Sequence, residues 1–182
     1  MIEYYLFMHK GGESSYRDGV FPIPNPDLFV GIIAGDKMGP EGEGAVKTFR
    51  EVLGSDINSS PLAEIEKELN RCLPENAEYM IFRISDTRID SLRRGKCYGQ
   101  IVKNGELKVL PNGVLNLEDE DRIICATEEF FSHIPDEAIL SDSLFAESSQ
   151  EWMEFMIQRI SDVNWLAGKN LSAVTLIVRS SD

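Results

Sequence analysis

Apolar and polar positions along this chain fall into short extended runs and longer amphipathic stripes. Glu3 to Met8 and Leu28 to Ala34 are short, rich in aromatic or β-branched side chains, and closed by glycine, which predicts two N-terminal strands. Beyond the Gly/Pro-rich GDKMGPEGEG, the positions Ala45, Val46, Phe49, Val52 and Leu53 recur at helical spacing. A second helix is predicted with Ser60 as its N-cap and Pro61 in its first turn, burying Leu62, Ile65, Leu69 and Leu73 and exposing a charged face. From Ala77 to Leu110, AEYMIFRIS, RIDSLRR, KCYGQIVK and ELKVL read as an antiparallel meander, its last two strands joined by the tight-turn dipeptide Asn104-Gly105. DRIICAT predicts another buried strand. Ser148 and Glu151 form a capping box that opens a helix with Trp152, Met153, Met156, Ile157 and Ile160 inward, a stripe read as core. SAVTLIVR closes the chain as a strand. Pro22, Pro24 and Pro26 make PIPNP a stiff piece, expected as a loop between strands.

Strands and helices therefore come in separate runs, the pattern of an α+β layer sandwich with sheets covered by helices. At 182 residues the chain suits one domain, 1–182, and 42% hydrophobic with 27% charged residues predicts folding throughout. There is no internal repeat and no low-complexity tract.

Charge narrows the function classes. A net charge of −13 repels phosphate backbones, so neither nucleic acid nor an anionic membrane is an expected partner. The longest apolar run, Leu28 to Ala34, is far short of the roughly 20 residues of a membrane helix. The N-terminal MIEYYLFMHK lacks a signal-peptide layout, so a cytoplasmic location is expected. Cys72, Cys97 and Cys125 lack metal or redox spacing and are expected as reduced core thiols. His9 and His133 are isolated, which gives a histidine-based nucleophilic mechanism little support.

Candidate chemistry sits in Gly35-Asp36-Lys37-Met38-Gly39, a carboxylate in a glycine-rich turn between a buried strand and a helix. Taken alone, Asp36 reads more readily as a turn or helix cap. Asp18, in the polar turn Tyr16-Arg17-Asp18-Gly19, changes the balance, because a hairpin-like return would bring it beside Asp36 and two such carboxylates suit hard divalent cations.

These segments, in order, resemble the PPM-type metal-dependent protein phosphatases of the stage II sporulation protein E branch. GDKMGPEGEGA resembles that family's G-D-G-M-G turn, with Lys37 in place of a glycine, and Asp18 falls at its first aspartate. The run RISDTRIDSLRRGKCYGQIVKNGELKVL resembles the family's central strands. DRIICATEE resembles the strand ending in Ser/Thr-Asp-Gly, with Glu128 standing for the aspartate and Glu129 for the glycine. KNLSAVTLIV resembles the closing Asp-Asn/Asp-x-Thr strand, with Lys169 where a metal-binding aspartate stands.

The resemblance implies an antiparallel β-sandwich in α-β-β-α layers. It also implies one or two Mn²⁺ or Mg²⁺ ions held by Asp18, Asp36, the backbone carbonyl of Lys37 and Glu128, and metal-assisted hydrolysis of phosphoserine or phosphothreonine on a phosphorylated regulatory protein. Lys169 reverses a charge in that set and could stand in for one ion. Two other readings follow: a pseudophosphatase that keeps the fold as a protein-binding regulatory module, and a structural domain unrelated to phosphatases.

Overall fold

The computed structural model describes residues 1–13, 15–25, 27–35, 41–161 and 170–180. Among them the strands form two five-stranded antiparallel sheets. One runs β1 (Ile2–His9), β10 (Leu171–Val178), β9 (Arg122–Ala126), β6 (Tyr98–Lys103), β7 (Glu106–Val109). The other runs β2 (Asp18–Asn25), β3 (Asp27–Ala34), β4 (Glu78–Ser85), β5 (Arg88–Arg94), β8 (Gly113–Asn116).

Three apolar clusters explain the layering. Between the sheets lie Val30, Ile32, Met80, Phe82, Cys125, Val174 and Leu176. The alternate residues of the same strands point outward, Ile33, Tyr79 and Ile81 to one side and Ile124, Leu171 and Ala173 to the other. Strands buried on both faces must be apolar at nearly every position, which is why they read as continuous hydrophobic runs. The helices α1 (Glu41–Leu53) and α2 (Leu62–Cys72) cover one outer face with Phe49, Leu53, Ile65 and Leu69. The other is covered by α3 (Glu128–Phe131), α4 (Asp136–Phe145) and α5 (Ser149–Ser161), with Phe130, Ile139, Trp152 and Met156 inward. The expected α-β-β-α sandwich is therefore observed. Among the described residues no helix is long and apolar enough to cross a membrane.

Several local expectations hold in detail. Asn104 and Gly105 both have positive φ, 54° and 75°, and close the β6–β7 hairpin at Lys103–Glu106. Cys97 and Cys125 are buried thiols, and burial pushes the Cys125 pKa up. At the start of α5 the Ser148 Oγ accepts the Glu151 N–H at 3.0 Å, while the Glu151 carboxylate reaches one residue further back than a capping box requires, to the Glu147 N–H at 2.7 Å.

Other expectations are corrected. Pro22 to Asn25 form no loop, since they belong to β2, an edge strand, while Pro26 lies outside the described residues. The Gly35 N–H donates to the Arg17 carbonyl, which makes the odd-numbered residues of β2 the ones that bond to β3. Pro22 and Pro24 occupy the even positions, where an N–H would face the open edge and its loss breaks no ladder bond. The meander is also interrupted: β5 pairs with β4 and β8, whereas β6 joins the opposite sheet beside β9. Gly95, at φ 77°, turns the chain between the sheets, and a Cβ there would lie 2.6 Å from Glu78 Cγ. The N-cap of α2 is Pro61 rather than Ser60, and the Pro61 carbonyl accepts the Glu64 and Ile65 N–H groups.

Glu3 ties the first strand to the last helix. Its carboxylate accepts the Ser149 N–H at 2.5 Å and pairs with Arg179 at 3.5 Å. Burial would raise its pKa, but the Ser149 bonds and the Arg179 charge outweigh burial and hold it below the usual carboxylate value. A depressed folded-state pKa contributes stability that is complete above the unfolded value near 4.5 and is lost as pH falls through the folded value. In acid titrations followed by circular dichroism, Glu3→Gln is expected to be less stable than wild type near neutrality. The difference should shrink below pH 4.5; a constant gap down to low pH would refute this account.

Candidate functional site

At one end of the sandwich the strand ends of both sheets converge. The pairing Asp18↔Ala34↔Glu78 sets three residues in one row across β2, β3 and β4. Facing them from the other sheet, β9 ends at Ala126 and passes through Thr127 into α3, and β10 begins after Asn170. Glu13, Arg17, Asp18, Ala34, Gly35, Glu78, Thr127, Glu128, Glu129 and Asn170 line a single cleft there. Of the residues picked out from the sequence, the fold thus brings Asp18 and Glu128, 110 positions apart, to one place. Asp36, Lys37 and Lys169 lie outside the described residues, Asp36 directly following Gly35 in the chain.

Asn170, which sequence reasoning passed over inside KNLS, organises the cleft floor. Its Oδ1 accepts the N–H groups of Arg17 and of Asp18, the latter at 3.3 Å, and its Nδ2 donates to the Lys10 carbonyl at 2.9 Å. One buried amide therefore joins the ends of β1, β2 and β10. Asn170→Ala would strand two backbone N–H groups and is expected to cost about 1–3 kcal/mol. Urea unfolding would measure it, and a loss below about 0.5 kcal/mol would deny the clamp, since changes that small are usual for ordinary surface positions.

Five carboxylates against Arg17 make the described wall of the cleft strongly anionic. Asp18 is 8% exposed, so its charge acts in a poorly hydrated setting. Glu128, half-buried at the start of α3, accepts the Lys96 ammonium at 2.7 Å, and the carboxylate pushes the Lys96 pKa up. Glu129 lies 3.5 Å from His133 Nε2 one turn on, and Glu13 pairs with Arg17 at 3.3 Å. His133 is thus less isolated than its sequence position suggests. The Thr127 hydroxyl, 1% exposed, lines the cleft with no hydrogen-bond partner among the described residues.

Hard oxygen donors, excess negative charge and an orphaned hydroxyl fit a hard divalent cation with bound water. Among the described residues, however, no three Asp, Glu, His or Cys side chains are grouped closely enough to hold a metal by themselves.

No family model matches the sequence, and no curated protein matches it. Solved structures do. The serine/threonine phosphatase of S. agalactiae is similar at TM-score 0.80 and 15% identity, over 98% of this chain and 100% of that one. RsbX in complex with magnesium is similar at TM-score 0.81 and 15% identity, over 97% and 95%. The catalytic domain of the serine/threonine protein phosphatase PstP in complex with two manganese ions is similar at TM-score 0.77 and 14% identity, over 98% and 99%. At such identities the likeness is one of architecture, and over nearly its whole length this chain has the fold of the PPM-type serine/threonine phosphatases.

Proposed function

We propose that this chain is a single-domain, cytoplasmic phosphoserine/phosphothreonine phosphatase, of the sporulation-E-like branch, acting on a phosphorylated regulatory protein with one or two Mn²⁺ or Mg²⁺ ions. The observation that carries this reading is the shared cleft of Asp18, which opens β2, and Glu128, which opens α3 beyond β9 of the other sheet, lined by oxygen donors. Similar folds are known with magnesium and with manganese bound, which supports the choice of ions.

Asp18, Asp36, the Lys37 carbonyl and Glu128 would hold the metal, with Lys169 as an internal cation in place of one ion. A bound divalent cation lowers the pKa of its water and offsets charge on the phosphoryl oxygens. The protein's own part is positional. Asn170 holds the Asp18 backbone, and the low exposure of Asp18 keeps its charge effective. Lys96 holds Glu128 at the rim through one carboxylate oxygen. No nucleophilic side chain is needed.

Phosphate release from a phosphoserine peptide, followed with and without millimolar Mn²⁺, tests the reading, together with a thermal shift on adding the metal. Metal-dependent release with a raised Tm is the expected result. Absence of both release and shift would refute it and leave a metal-free binding module.

A further inference from the structure

Beside the anionic cleft lies a second pocket of opposite character. It measures about 450 Å³ and is lined by Arg93, Lys96, Tyr98, Glu128, Phe131 and their neighbours. Glu128 belongs to both, so the two sites adjoin. The Arg93 guanidinium lies 6.0 Å from the centroid of the Tyr98 ring, which stacks on Phe131 at 4.3 Å with 25° between the planes. A guanidinium resting on a stacked aromatic pair is held as a directed donor and loses less rotamer freedom on binding an anion.

Lys96 already bonds Glu128, and among the described residues Arg93 has no carboxylate partner. Two cations and one carboxylate leave one net positive charge, in a chain whose total is −13. That charge matches a single carboxylate and suits the forked geometry of arginine. The switch at Gly95, on the side facing Glu78, is what brings the basic turn after β5 beside the start of α3.

We infer that this pocket is a specificity subsite that takes the carboxylate of an Asp or Glu flanking the phosphorylated residue of a peptide substrate. The nature of the peptide rests on the phosphatase reading above. An extended peptide advances about 3.3 Å per residue, so adjoining sites correspond to a residue one to three positions from the phosphoserine.

The test is anisotropy binding of fluorescent phosphoserine peptides to the full chain in millimolar Mn²⁺, read before appreciable turnover. The peptides differ only in carrying Glu, Gln or Lys on both sides of the phosphoserine. Wild type is expected to favour the Glu peptide over the Gln peptide by about tenfold, the scale of one charged hydrogen bond. Arg93→Gln should bring that ratio close to one, and Arg93→Glu should reverse it in favour of the Lys peptide, a gain that misfolding does not produce. No preference or no binding in wild type, or a Glu preference retained in Arg93→Glu, overturns the subsite. Mn²⁺-dependent hydrolysis of p-nitrophenyl phosphate, which has no flanking residues, tests the phosphatase reading separately. Its failure alongside a Glu preference would remove the enzyme and leave the subsite.

Discussion

Asp18→Asn is expected to reduce Mn²⁺-dependent phosphate release by on the order of a hundredfold or more, the loss of a few kcal/mol of charge stabilisation in the transition state. The substitution is nearly isosteric. The Asp18 backbone N–H still meets Asn170 Oδ1, and the pairing with Ala34 is untouched, so the fold should survive. What disappears is a negative charge that is 8% exposed and lies opposite Glu128 in the cleft. The measurement is kcat/KM against Mn²⁺ concentration, with Tm recorded in parallel. Wild-type turnover in Asp18→Asn would rule out a metal-ligating role for this residue; a collapsed Tm would turn the loss of activity into a folding effect.

Trp152→Ala should be the most damaging core substitution on the opposite face. Trp152 has no exposed surface, fills the space between α4, α5 and the β1–β10–β9 sheet, and donates its indole N–H to the Ile139 carbonyl at 3.3 Å. Truncation leaves a cavity and strips a carbonyl of its partner, at an expected cost of about 3–5 kcal/mol. For a domain of this size that corresponds to a fall in Tm of roughly 10 °C. Trp152→Phe should recover part of the loss by refilling the space without the hydrogen bond. Because Trp152 itself lines neither the cleft nor the adjoining pocket, specific activity of the folded fraction well below Tm should not change. A cost under about 1 kcal/mol would mean that the helices repack around the site.

How far each element was legible follows from the kind of force that forms it. Helices α1, α2 and α5 carry one apolar stripe each, Ala45–Phe49–Leu53, Ile65–Leu69 and Trp152–Met156–Ile160, and were readable because amphipathic periodicity is local. Helix α4 has no such stripe. Leu144 and Phe145 are exposed while Asp142 and Ser143 are buried, Asp142 because Arg159 grips both its oxygens at 2.6 and 2.7 Å. Its fold depends on a partner 17 residues away. The prolines of β2 misled in the other direction. Their two-residue spacing fits an edge strand, but whether a strand has a free edge is a property of the sheet.

The candidate site divides along the same line. Asp18 could be picked out because it sits in a polar turn, and Glu128 through the resemblance of DRIICATEE to a family strand, whereas Glu78 and Lys96 carried no local signal. Glu78 reaches the cleft through its register opposite Ala34, and Lys96 through the change of sheet after β5.

By itself the sequence determined the layer class, the outward faces of the three striped helices and the hairpin at Asn104-Gly105, since these depend on side-chain period and backbone preference within a few residues. Only the tertiary structure decided which sheet each central strand joined, that Asn170 clamps Arg17 and Asp18, and that an acidic cleft and a basic pocket share Glu128. Those outcomes are set by pairing and burial between residues far apart in the chain, where many registers satisfy the local pattern and only the packed core selects one.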